Sequence, residues 1–168
     1  MIIIQLENTM NFKKLSDQNL RGLSNLGSAR ADIIETRDAT LSAMAAVCSN
    51  ATVLFKSNVL MTGPTSDLAT FLIKSAFGSA RSVNGWHIEN SQLYGTVTFE
   101  RECLDKYGKT YWEPIWGFVI GHNEAPRSGN SDGALIIPID SGFGDERDSG
   151  CRQALYAILF GIINGPVT

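Results

Sequence analysis

Between Asp32 and Cys48 the apolar residues Ile34, Leu41, Met44, Ala45 and Cys48 recur on one stripe of a 3.6-residue period, while Asp32, Glu35, Asp38 and Ser42 face elsewhere. That pattern predicts an amphipathic helix, ended by Ser49-Asn50. Two short β-rich runs follow, Thr52-Val53-Leu54-Phe55 and Asn58-Val59-Leu60-Met61. Gly63-Pro64-Thr65-Ser66-Asp67 then has the chemistry of a helix start: a proline, hydroxyl caps, and an acid at the positive end of the dipole. Leu68, Phe71, Leu72, Ser75 and Ala76 trace one helical face after it and Gly78 closes the segment, so a second helix is expected.

Beyond Asn84-Gly85 the period shortens to two. Trp86 to Glu89 and Leu93 to Glu100 read as strands, with Leu93, Gly95, Val97 and Phe99 on one side. Lys106-Tyr107-Gly108-Lys109 supplies a turn and Thr110 to Ile120 returns, which makes this the best hairpin in the chain. Pro114 cannot donate to a ladder, so its strand is expected to be bulged or at an edge there. After a long polar loop from Gly121 to Gly133, Ala134-Leu135-Ile136-Ile137-Pro138-Ile139 reads as a further strand, apolar on both faces and hence central or covered. The acidic glycine loop from Asp140 to Gly150 leads into a last helix from about Asp148 to Asn164, stopped by Gly165-Pro166. Ile2 to Leu6 suits a short strand. The polar stretch from Asn8 to Ala29 reads as an arm, and Met10 is an alternative start that would make residues 1–9 dispensable.

The elements do not alternate as βαβ units, so a parallel sheet is not expected. The predicted architecture is α+β: an antiparallel sheet of about four to five strands, two amphipathic helices and a buried apolar C-terminal helix. Residues 1–29 form an arm or lead-in and residues 30–168 a single domain.

Composition changes this picture in one respect. Of the 168 residues 43% are hydrophobic, enough for a core, but only 18% are charged where about 25% is usual. Ser, Thr, Asn and Gly fill the gap, and surfaces of that kind are cheap to desolvate. They suit a chain that works in an assembly. The net charge of −3 comes without a Lys/Arg cluster, which argues against direct nucleic-acid binding. Cys48, Cys103 and Cys151 are far apart and unpaired by motif, which points to a reducing compartment. No segment reaches the ~18 apolar residues of a membrane span, and the N-terminus lacks a signal-peptide pattern. The expected location is cytoplasmic or inside an assembled particle.

Candidate chemistry is sparse. Asp140, Asp145, Glu146 and Asp148 could bind a hard cation through oxygen ligands, or could simply place negative charge at a helix N-terminus. His122 with Glu124 could form an acid–base pair, and His87 could converge with it, yet no nucleophile motif or phosphate-binding loop accompanies them. No cofactor is expected. Trp112 and Trp116 share a face if their strand is regular, with Tyr111 on the other. From Ala154 to Ile163 the final helix carries no charged side chain and must be covered on every side. Tyr111, Trp112, Trp116, Leu155, Ile158, Phe160 and Ile162 are therefore the candidate interface. The expected function is a non-enzymatic structural or protein-interaction subunit of a self- or hetero-assembly, of the kind found in virions or mobile elements. The rivals are a small hydrolase-like enzyme using the acidic loop and His122, and an inhibitor or adaptor that blocks a host protein.

Overall fold

A computed structural model describes residues 17–49, 58–65, 70–90, 92–128, 135–137 and 144–165, with side chains described outside 17–24, 65 and 144–149. Helix α1 (Asp17–Ser49) leads into β1 (Leu60–Thr65), β2 (Thr70–Ser75), β3 (Gly78–Glu89), β4 (Gln92–Leu104), β5 (Thr110–Ile120), β6 (Arg127–Ser128) and β7 (Leu135–Ile136), and α2 (Gly144–Asn164) follows. The seven strands form one antiparallel sheet in chain order, curled into half a barrel, with both helices packed on the same face and against each other.

The expected hairpin is present, Gln92–Leu104 against Thr110–Ile120. Pro114 sits at a bulge: Phe99 pairs with Trp116 and Glu100 with Pro114, leaving Ile115 as the extra residue. Ile115 turns into the core, 2% exposed.

Seven strands replace the four to five expected, for identifiable reasons. The segment assigned to a second helix is instead β2: Phe71 and Ile73 are buried and Lys74 is exposed, a period of two that outweighs the helical spacing of Leu68, Phe71 and Leu72. Gly63-Pro64, read as a helix start, lies inside β1. Ser82, fully buried in β3, accepts a hydrogen bond from the Phe71 amide at 2.8 Å and so satisfies that donor where the β2–β3 register ends. Short β6 and β7 extend the sheet beyond β5, so the apolar run around Leu135-Ile136 is an edge rather than a central strand, with Ile137 turned inward and Ile136 outward. Helix α1 begins at Asp17, upstream of the expected start. Residues 1–16 and 51–57, on which a first strand and a β-rich run were expected, lie outside the described residues.

The core joins Ile33, Leu41, Met44 and Val47 of α1 to Phe71, Ile73, Val97, Phe99, Phe118 and Ile120 of the sheet and to Leu155, Ile158 and Ile162 of α2. Two glycines set the helix–sheet distance. A methyl group at Gly95 would stand 2.5 Å from Ile33 Cγ2, and one at Gly161 would stand 2.8 Å from Ile115 Cβ. Each helix therefore approaches the sheet through a missing side chain.

Candidate functional site

Two regions of the surface have distinctive chemistry. The first is α2. Its inner side, with Ala154, Leu155, Ile158, Leu159 and Ile162, is buried against the sheet and α1. The helix has no basic residue in its last turn, and the positive charge that its C-terminus favours comes from β4. Arg101 reaches the Ile162 carbonyl at 3.4 Å and is held by Glu113 at 2.6 Å, which keeps the guanidinium more firmly protonated than usual. The opposite side of α2 is half open: Tyr156 is 49% exposed, Phe160 55% and Ile163 52%. They are spaced i, i+4, i+7, so they form one stripe, and no charged residue interrupts the helix from Gln153 to Asn164. Exposed Phe77 is carried by the β2–β3 turn, next to Gly78 at the start of β3, which packs beside Ile162.

Of the predicted interface residues on this helix, Phe160 is at the surface, whereas Leu155, Ile158 and Ile162 are inside the chain's own core. Tyr156 and Ile163 were missed, because in a helix apolar all round no contrast marks which stripe faces outward. The hairpin aromatics separate as well. Trp116 packs with Phe99 and Phe118, ring centroids 5.9 Å apart in both cases, while Trp112 lies under Arg81 at 4.3 Å. The bulge at Ile115 breaks the regular alternation that would have placed both tryptophans on one face. Exposed Tyr111 lies near Cys103, which pushes its phenol pKa up.

The second region is a cleft of about 460 Å³ between α1, β4 and the turn after β5, lined by Asn25, Leu26, Ser28, Ala29, Gln92, Leu93, Tyr94, His122 and Glu124. The structure thus brings the predicted pair His122 and Glu124 to one place, and adds Asp32 from α1. The Asp32 carboxylate accepts hydrogen bonds from the Asn123 amide at 2.8 Å and from His122 Nδ1 at 3.1 Å. Asn123, in the left-handed conformation at φ 56°, places its side-chain amide 3.0 Å from His122 Nε2. These contacts fit one neutral tautomer, protonated on Nδ1, with Nε2 accepting from Asn123. Both ring nitrogens are therefore engaged in this geometry. Glu124 folds back over Gly121, where any side chain would collide with its carboxylate, and lies 4.0 Å from Arg127. His87 does not join His122; it stacks on Tyr94 with ring centroids 5.1 Å apart.

Asp140 lies outside the described residues, and Asp145, Glu146 and Asp148 fall in the opening turns of α2 with side chains that are not described. Their helical position is one that stabilises negative charge. Among the described residues no group of three or more His, Cys, Asp or Glu is placed to hold a metal ion. No described helix is long and apolar enough to cross a membrane. No known protein family matches the chain, and neither a curated protein nor a solved structure matches it.

Proposed function

We propose that the chain is a non-enzymatic structural or protein-interaction subunit, and that the outer stripe of α2 is the surface it buries. The observation that carries this reading is the uncharged row Tyr156, Phe160 and Ile163, each about half exposed on one helix face. Aromatic residues dominate binding energy at protein interfaces, and Lys, Glu and Asp are depleted there. The charge content of 18% supports the same reading, and a location in the reducing cell interior or within a particle suits it. The engaged nitrogens of His122 weigh against the hydrolase-like alternative.

Sedimentation equilibrium at micromolar concentration tests the proposal. The wild type is expected at a multiple of 18.3 kDa, or bound to a co-purifying partner. Phe160→Glu, at an exposed position, is expected to return to single-chain mass while keeping the wild-type circular dichroism spectrum. A monomeric wild type that retains no partner which the variant loses would overturn it.

A further inference from the structure

We propose that the cleft between α1, β4 and the β5–β6 turn binds a small uncharged polyhydroxylated molecule of mono- or disaccharide size. The site shares no residue with the outer stripe of α2, so it stands apart from the interaction reading. Its walls are held in place before any ligand arrives. Asp32 ties the turn to α1 through the Asn123 amide and His122, Tyr94 donates to Gln92 Oε1 at 2.7 Å, and Ile33 seats α1 on Gly95. A volume of about 460 Å³ falls within the ~300–1,000 Å³ typical of small-molecule sites.

The lining selects the ligand by elimination. Among the described residues no Lys or Arg lines the cleft, and Glu124 would repel an anion. Glu124 is the only lining carboxylate among the described residues and already faces Arg127, so it places little premium on a cation. A wholly apolar ligand would strip water from Asn25, Ser28 and Gln92 without replacing its hydrogen bonds. An extended peptide finds only three residues of open ladder, Gln92 to Tyr94, because β3 pairs with all of β4 and β5 pairs with it from Gly95 onward. A polyol or sugar answers what remains. Its hydroxyls both donate and accept, matching the amides, Ser28 and Glu124. Its C–H faces match Leu26, Ala29 and Leu93 together with the carbon edge of His122, whose nitrogens are occupied.

The test is a ¹H–¹⁵N NMR titration of the full chain with glucose, N-acetylglucosamine and maltose to about 50 mM, with propylamine and inorganic phosphate as charged probes. At least one sugar is expected to give saturable shifts at the amides of Gln92, Tyr94, Asn123 and Glu124, with a Kd of about 0.1–10 mM, which corresponds to weak preorganised binding. Leu93→Trp, which fills the cleft, should abolish them. Ser28→Leu, on the exposed side of α1, should do the same and serves if Leu93→Trp fails to fold. Absence of saturable shifts with every sugar, saturation by propylamine or phosphate alone, or sugar binding that survives a folded variant would each overturn the proposal.

Discussion

Gly95→Ala probes the contact that seats α1 on the sheet. The added methyl would lie 2.5 Å from Ile33 Cγ2, a separation at which one of the two elements must move. Forcing a methyl group into a packed contact costs about 1–3 kcal/mol. Replacing glycine inside a strand returns about 0.5–1 kcal/mol of backbone entropy. The net expectation is a loss of about 1–2 kcal/mol, or a fall in Tm of about 2–8 °C for a chain of this length. Ile33 is fully buried, so Ile33→Ala alone should cost about 2–5 kcal/mol. In the double variant the new methyl occupies part of the space that Ile33 vacates. The two losses should therefore fall short of additivity by about 1 kcal/mol or more in urea unfolding, where independent sites add within about 0.5 kcal/mol. Strict additivity, or a Gly95→Ala variant that melts higher than wild type, would refute the placement of α1 over β4.

Ser82→Ala leaves the buried Phe71 amide without its 2.8 Å acceptor and should destabilise by about 1–3 kcal/mol in the same assay. Arg101→Met removes both the Glu113 partner and the charge at the end of α2; hydrogen exchange should accelerate at the amides of the last turn of α2 while the amides of β3 are unaffected. Burial, helped by nearby Cys151, pushes the Cys48 thiol from its ordinary value of 9.0 up to about 11. Between those values the folded chain keeps a proton that the unfolded chain releases, so this group costs stability as pH rises from 9 to 11. Wild type should thus lose Tm across that window relative to Cys48→Ala, and a constant difference between the two melting curves would contradict the burial of the thiol. In the native protein iodoacetamide at pH 8 should modify part-exposed Cys103 before Cys48 or Cys151, read by peptide mass.

How far the fold could be read in advance depended on whether one periodicity stood alone. Gln92 to Ile120 was legible because strict alternation flanked a glycine turn, and Pro114 announced its own bulge. Leu68 to Ala76 misled because Phe71 and Leu72 fit a helical face while Phe71 and Ile73 fit a strand. Only pairing with β3, through contacts such as Leu72 with Arg81, decides between them. In α2 the apolar character was plain but its orientation was not, since Tyr156 and Leu155 look alike to a pattern. The cleft was half visible: His122 and Glu124 stood out by residue type, whereas Asp32, 90 positions away from His122, is joined to it only by the path of α1 across the sheet.

The strand order of the sheet also bears on how the molecule assembles itself. Because neighbours in space are neighbours in sequence from β1 to β7, each pairing closes only a short loop and can proceed as local hairpins. The helices are different: Cys48 and Cys151 meet in the core from opposite ends of the chain. Without α2 the face of the sheet that carries Ile115 would lie open where Gly161 packs against it, so the last helix of the chain completes a core that the hairpins alone leave unfinished.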